Sequence, residues 1–508
     1  YDNKDFEGNK LLSIPAKTAG KLNLYARFVS ATANWTSVGN SAGEADYTVD
    51  ADGNYTVYTA KGLAKIANIV NSGDYLYGKY VTLANDIDLL DGGVDDYNAL
   101  TVNATNSWVP IDGFFGTFDG NGHKISNLYI TGMNRNAGLF GSNNGTIKNL
   151  EIASGRITVS SPSNYSTYNI GSIAAVTTGL IDNCVNRADI YITVSGLGYG
   201  SYAGGITGCV NTHYIPEAAD VSKVTNCVNY GEISGTGAAY CGGIAGFHSS
   251  GRNSINGVQR KTLIDQCSNA GHVSAGSNGW AGGIAGSVQS NGGPNSGYTS
   301  ITATITNCYN SGSVEGFCAG GISGLNEYLA YIYNCYNTGS ISGGTNAGGI
   351  VGLTYLSAPV IENCYNIGDV TGTNRGGIAG NLLSGEVRNC YQQAGSGVGI
   401  LGNIDTDYAL SEDCFTFVSD NGTHTLEGSV YGTADLLTAL KAWVAAHNTS
   451  SEYLNWRADE LNNNYPVFAK YYTVTFDPNG GTVSPATGTT NDSYTLASLP
   501  TPIRRGYS

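Results

Sequence analysis

From about Gly171 to Gly402 the chain alternates apolar runs of four to six residues with glycine and asparagine, and two phrases carry the alternation. The first is Ala-Gly-Gly-Ile-x-Gly, at Ala203–Gly208, Ala281–Gly286, Ala319–Gly324 and Ala347–Gly352, with Cys241 or Arg375 replacing the first Ala at Cys241–Gly246 and Arg375–Gly380. The second is Ile/Val-x-Asn-Cys-x-Asn-x-Gly-x-Val/Ile, at Val224–Ile233, Ile305–Val314, Ile332–Ile341 and Ile361–Val370, with variants at Ile181–Ile190, Ile264–Val273 and Val387–Gln392. The runs are too short for helices and leave no sequence for crossover helices. Successive units must therefore pair in parallel, which predicts an all-β chain built as a right-handed parallel β-helix, a β-solenoid. Like residues then lie about 4.8 Å apart along the stack. Ile244, Ile284, Ile322, Ile350 and Ile378 are expected to form one interior row, and Asn310, Asn337 and Asn366 a hydrogen-bonded turn ladder. The glycines supply positive φ and close backbone approach.

Two stretches change period. Thr59 is placed to cap a helix over Ala60–Asn71, with Leu63, Ile66, Ala67 and Val70 on one face. This helix is expected to cover the N-terminal end of the stack, where a bare first coil would offer unpaired strand edges. Thr433 is placed to cap a second helix over Ala434–His447, with Leu436, Leu437, Leu440, Trp443 and Val444 on its apolar side, expected to close the C-terminal end. Between Ser30 and Tyr55 the residues are small and polar and read as a lead-in.

The cysteines follow the repeat. Cys184, Cys227, Cys267, Cys308, Cys335, Cys364 and Cys390 occupy one slot of the second phrase, which Leu128 and Leu150 fill in earlier copies. A slot that accepts Leu is a core slot, so the seven are expected as a structural ladder of buried, reduced thiols rather than metal ligands. Cys209, Cys241, Cys318 and Cys414 lie off that row, and the spacing leaves open a disulfide among them. Charged residues are 12% of the chain and the formal net charge is −15, with no Lys/Arg-rich tract, which argues against nucleic acid or an anionic membrane as partner. No apolar run is long enough to insert into a membrane, and the chain opens at Tyr1 without a leader, as a mature or excised segment would. Asp86, Asp88, Asp91, Asp95 and Asp96 form an acidic loop whose spacing matches no defined calcium loop, so it is read as solvated. No cofactor is expected.

The opening Phe-Phe-Gly-Thr-Phe-Asp-Gly-Asn-Gly-His-Lys-Ile at Phe114–Ile125, with the Gly-Gly-Ile-Ala-Gly and Asn-Cys-Tyr-Asn phrases, closely resembles the GLUG repeat over about Tyr55–Phe468. That resemblance implies a bacterial surface protein of adhesin type; such repeats also stand beside the protease domain of some immunoglobulin A peptidases. Trp456 and Asn462–Phe468 resemble the strand that ends solenoids of this family. The end pieces Leu22–Phe28 and Tyr472–Gly481 with Leu499–Tyr507 resemble halves of the Listeria–Bacteroides repeat, a β-grasp-like module found before cell-wall anchors. The resulting division is 1–29, C-terminal half of such a module; 30–55, lead-in; 56–425, solenoid with short capping helices; 426–470, C-terminal cap; 471–508, N-terminal half of a module. Complementary halves suggest end-to-end association of neighbouring modules, and the cell surface is the implied location.

Coil length gives the functional expectation. From the Ile of the first phrase to the Cys of the second is 13, 14 and 12 positions in later units (Ile322 to Cys335, Ile350 to Cys364, Ile378 to Cys390), but 21, 23 and 24 in three earlier ones (Ile206 to Cys227, Ile244 to Cys267, Ile284 to Cys308). The extra residues fall within Val210–Lys223, Phe247–Thr262 and Ser287–Thr304, and insertions at one corner pile up on one face. Tyr214, Phe247, His248 and Tyr298 are the candidate ligand-binding residues, and Trp280 and Tyr328 are aromatics able to stack on sugars. The expected partners are a host glycan or an extracellular protein. The six histidines show no zinc-protease motif, and the few acids of the array (Glu232, Asp265, Glu315, Glu327, Glu362, Asp369, Glu386) read as outward positions with no basic residue among them. The sequence therefore predicts a non-catalytic adhesin or stalk. A β-helix polysaccharide lyase or glycoside hydrolase is the alternative, which requires carboxylates paired across coils, and a passive spacer is the third reading.

Overall fold

The computed structural model describes residues 33–416 and 433–469, apart from 133, 162–166, 195–199, 212–220, 251–260, 291–301, 357, 394–397, 450, 451 and 463, together with two short strands, Thr473–Thr475 and Thr487–Thr489. The module half expected at Tyr1–Val29 lies outside these residues. Of its partner half at 471–508 only those two strands are described, paired antiparallel.

The short runs stack in parallel and build a β-solenoid. Among the described residues four sheets run along it, with 13 strands in sheet I, 10 in sheet II, 11 in sheet III and 14 in sheet IV. One coil shows the path: Thr207–Val210 lies in sheet II, Val221–Thr225 in sheet I, Val228–Asn229 in sheet III, and Ile233–Thr236 and then Ala239–Gly242 in sheet IV. Pairing between coils is parallel, and the antiparallel pair Tyr47–Val49 with Tyr55–Val57 begins sheet I.

The isoleucine row forms as expected. Each amide donates to the equivalent carbonyl one coil on, Ile244 to Ile284 at 2.9 Å, Ile284 to Ile322 at 3.0 Å, Ile322 to Ile350 at 2.9 Å and Ile350 to Ile378 at 2.9 Å. All five side chains are fully buried. The asparagine ladder is longer than the three residues expected. Asn186, Asn229, Asn269, Asn310, Asn337 and Asn366 are fully buried, and each Nδ2 donates to the next Oδ1 at 2.7–2.8 Å, ending on Gln392 Oε1 at 3.3 Å. The same Nδ2 atoms also donate to the carbonyl two residues on, as Asn310 does to Gly312 at 2.7 Å, so the turn is tied within and between coils. The residue before each ladder cysteine adopts the left-handed conformation, as at Asn226, Asn307, Asn334, Asn363 and Asn389, which accounts for asparagine there in place of a branched residue.

At the N-terminal end α1 (Trp35–Asn40) and α2 (Ala60–Asn71) pack together. The stretch read as a lead-in thus carries a helix, held by an Asn34/Ser37 capping box and by buried Trp35, whose ring meets Tyr97 and Trp108 edge-on at 4.9 Å. Helix α2 starts where expected, with Thr59 Oγ1 accepting from Gly62 N at 3.3 Å. It covers the open edge of sheet II as a strand would. Asn71 Nδ2 donates to Pro110 O at 3.0 Å and Asn71 Oδ1 accepts from Asp112 N at 2.8 Å, next to the edge strand Ile111–Phe114.

The second helix, α3 (Thr433–His447), corrects the expectation of a C-terminal plug. With the hairpin Trp456–Asp459 and Tyr465–Phe468 it lies along the flank of the last coils. Leu436, Leu440, Trp443, Val444, Trp456 and Phe468 cluster on Tyr365, Tyr391 and Phe415. The reason is a column of outward tyrosines on sheet III: Tyr309, Tyr336, Tyr365 and Tyr391 stack at 5.0, 4.9 and 5.3 Å. So large an apolar stripe needs a cover.

Candidate functional site

The three long connections leave sheet II and enter sheet I in consecutive coils, after strands Thr207–Val210, Ala245–Ser250 and Ala285–Ser290 and before Val221–Thr225, Lys261–Asp265 and Ala303–Thr306. They therefore share one corner. Tyr214 and Tyr298 lie outside the described residues.

Of the other two candidates, Phe247 is half-buried on the outer side of sheet II and His248 points inward. His248 is fully buried in a row with Val210 and Val288, and burial pushes its pKa down to about 3. It is a neutral core residue, and its expected role in ligand binding is withdrawn. The alternation of strand faces separates the neighbours: consecutive residues point to opposite sides.

Phe247 belongs to an aromatic block that the sequence reading left unassembled. Its ring stacks on Tyr202 at 4.6 Å and 12°. Tyr202 is followed one coil on by Tyr240, at 5.4 Å, and Tyr240 by Trp280, at 4.6 Å and 8°. Trp280, expected as a sugar platform, thus has one face covered, and its indole N–H is buried with no hydrogen-bond partner among the described residues. Burial raises the pKa of Tyr202 and Tyr240, with a smaller contribution from Glu327, whose own carboxyl is pushed up by burial. A sequence signal for the block exists. The residue before Ala-Gly-Gly or Cys-Gly-Gly is Tyr202, Tyr240 and Trp280 in the three coils with long connections, but Cys318, Asn346 and Asn374 in the coils after them.

The cysteine ladder is present and longer by one. Cys184, Cys227, Cys267, Cys308, Cys335, Cys364 and Cys390 are fully buried. Each thiol lies 3.0–3.3 Å from the carbonyl oxygen two residues earlier. Cys414 makes the same contact, to Glu412 O at 3.2 Å, and so belongs to the row from which the sequence reading left it out. All eleven cysteines are free and buried. Burial pushes the thiols of Cys184, Cys227, Cys267, Cys308, Cys335 and Cys390 well up, and those of Cys209 and Cys241 up to about 12. Such thiols are poor nucleophiles.

Among the described residues no group of three or more His, Cys, Asp or Glu could hold a metal ion. In the acidic loop Asp86 faces His123 Nδ1 at 3.1 Å and Asp88 accepts from Leu90 N at 2.9 Å and Asn127 Nδ2 at 2.8 Å. Among the acids of the late coils Glu362 departs from the outward, solvated position expected, and a basic residue stands beside it. Arg388 reaches Glu386 at 2.8 Å, Glu362 at 3.4 Å and Glu412 at 3.5 Å, and Tyr453 Oη donates to Glu362 at 2.5 Å, leaving Glu362 buried. The ladder places these residues on adjacent coils, and Tyr453 arrives from the covering flank.

No family model matches the chain. Over 240 residues, 42% of the chain, it is 28% identical to Halomucin of Haloquadratum walsbyi, of whose length it spans 2%. A solved structure from Bacteroides ovatus, named provisionally as an immunoglobulin A1 protease, overlaps 83% of this chain and 93% of its own at TM-score 0.36 and 20% identity. A second, named IgA1 Protease, overlaps 62% of this chain and 22% of its own at TM-score 0.35 and 14% identity. Both names are those of enzymes, which corrects the expectation, drawn from missing motifs alone, that the chain is not an enzyme; at this likeness neither structure assigns a reaction to its residues.

Proposed function

We propose that the chain is an extracellular surface-protein segment whose solenoid holds a partner on the outer face of sheet II, between the aromatic column at its sheet IV side and the long connections at its sheet I side. The observation that carries this reading is a coincidence along the stack. The three coils with long connections are those that place Tyr202, Tyr240 and Trp280 in a column with Phe247 beside it, and both features end together at Cys318. Core packing gives no reason for this, since the column is outside the interior rows. The partner class it favours is an extracellular protein, because Phe247 covers Tyr202 and Tyr240 covers Trp280, so that faces on which a sugar would stack are already occupied. The resemblance to GLUG and Listeria–Bacteroides repeats and the similarity to Halomucin support the extracellular setting.

The test is binding of the intact chain to an array of extracellular matrix proteins, mucins and glycans, beside Tyr240→Ala/Trp280→Ala. Binding to a protein that falls at least tenfold in the variant, with its thiols still protected, is expected. Unchanged binding in a folded variant would contradict the reading.

A further inference from the structure

The cap at the N-terminal end does more than cover an edge. Where the end of α2 meets the first strand of sheet II, a cavity of about 540 Å³ opens between Val70, Asn71, Tyr75, Val109, Pro110, Asp112, Asn134, Arg135, Asn136 and Gly141. That volume falls within the range of about 300–1,000 Å³ typical of small-molecule sites. Its sides differ in chemistry. Val109 and Pro110 form an apolar part, and Asn71, Asp112, Asn134, Arg135 and Asn136 a polar one.

We propose that this cavity binds a neutral sugar. A pyranose has an apolar face of C–H groups and an edge of hydroxyls that each donate and accept, which matches apolar and amide-lined walls meeting at one site. Three of the polar groups are held before any ligand arrives. Asn71 is held by Pro110 O and Asp112 N, Asp112 accepts from Ser142 Oγ at 2.5 Å, and Asn136 Oδ1 accepts from Asn169 Nδ2 at 3.0 Å. Tyr75 is 42% exposed. Its aromatic neighbours Tyr77 and Phe115 lie at 84° and 56°, so among the described residues no parallel ring covers its face, whereas Phe247 covers Tyr202 and Trp280 covers Tyr240. Room is kept for this arrangement by Gly113, at φ +86°, where an added Cβ would lie 3.0 Å from the Tyr75 ring, and by Gly141, where one would lie 2.8 Å from Asp112 Oδ1. An anion fits less well, since Asp112 and the C-terminal end of a twelve-residue helix both bring negative charge to the rim. A cation meets Arg135.

The cavity lies at the N-terminal end of the solenoid, away from the inserted connections that begin after Val210, so binding at one does not depend on binding at the other. The experiment is saturation-transfer NMR on the full chain with a panel of neutral mono- and disaccharides, and with inorganic phosphate as the anionic probe. Tyr75→Ala and Asn134→Ala alter exposed side chains and leave the fold intact. At least one neutral sugar is expected to bind, with affinity about tenfold lower in Tyr75→Ala, the loss of roughly one ring contact, and unchanged in Tyr408→Ala at the far end, where the ring is 74% exposed. Absence of signal from every neutral sugar would overturn the proposal. So would binding unchanged in both Tyr75→Ala and Asn134→Ala, or displacement of the sugar by phosphate.

Discussion

Gly283 and Asn310 meet across the interior of the solenoid: a Cβ added to Gly283 would lie 2.3 Å from Asn310 Cγ and 2.1 Å from Gly321 O. The same contact recurs between Gly243 and Asn269 at 2.4 Å, and between Gly349 and Asn366 at 2.4 Å. The two sequence phrases are therefore halves of one joint. The second glycine of the first phrase is the space into which the buried asparagine of the second phrase fits, and that asparagine ties its coil to the next.

Gly283→Ala is expected to destabilise the chain by about 1–3 kcal/mol, the usual cost of overpacking where a backbone atom blocks relief. Urea unfolding checks it. A midpoint equal to that of the parent chain would show that the joint is looser than its geometry.

Asn310→Ala removes one rung. Asn269 Nδ2 loses its acceptor and Asn337 sits beside a gap, so a loss of about 1–3 kcal/mol per orphaned group is expected. The double variant Gly283→Ala/Asn310→Ala should cost less than the sum, because the added methyl then meets a shortened side chain.

The thiols give a pH prediction. Burial raises the folded pKa values of Cys184, Cys227, Cys267 and Cys308, so the stability these four allow is complete below the unfolded value, 9.0, and declines as pH rises above it, where the unfolded chain releases protons that the folded chain keeps. Buried Tyr365 and Tyr391 act in the same sense from about pH 10. The urea midpoint should fall between pH 8 and pH 10. In the native state a thiol reagent should label few of the eleven cysteines, and in denaturant all of them.

His248 works in the other direction. Its folded pKa is lowered to about 3 from 6.5, so stability is full above pH 6.5 and is lost as pH falls from there toward 3. His248→Val, matching Val210 and Val288 in its row, should hold stability at pH 7 and flatten the acid limb of a stability profile. A binding loss in this variant without a stability change would restore His248 to the site.

Most of the coil was legible in the sequence because stacking turns a spacing into a contact: the isoleucines, the asparagines and seven of the eight row cysteines need only the period. Cys414 was missed because Asp413 replaces the usual asparagine before it, although Asp413 adopts the same left-handed conformation. The flank of α3 was not legible because Tyr309, Tyr336, Tyr365 and Tyr391 fill a variable position of the second phrase and become an apolar column only when the coils stack. The candidate site was legible only as a corner. Which side of a strand Phe247 and His248 take is a matter of register, and the partners Tyr202 and Tyr240 come from the neighbouring sheet. The cluster about Arg388 depends on rungs from adjacent coils and on Tyr453, far away in sequence.

The central functional claim is tested most directly by shortening the three connections, between Val210 and Val221, Ser250 and Lys261, and Ser290 and Ala303, to the length found in the later coils. The intact and shortened chains would then be compared on one array of matrix proteins, mucins and glycans. The account predicts that the shortened chain keeps its protected thiols and its unfolding midpoint and loses its partner. Full binding by the shortened chain would contradict it, as would an intact chain that binds nothing on the array.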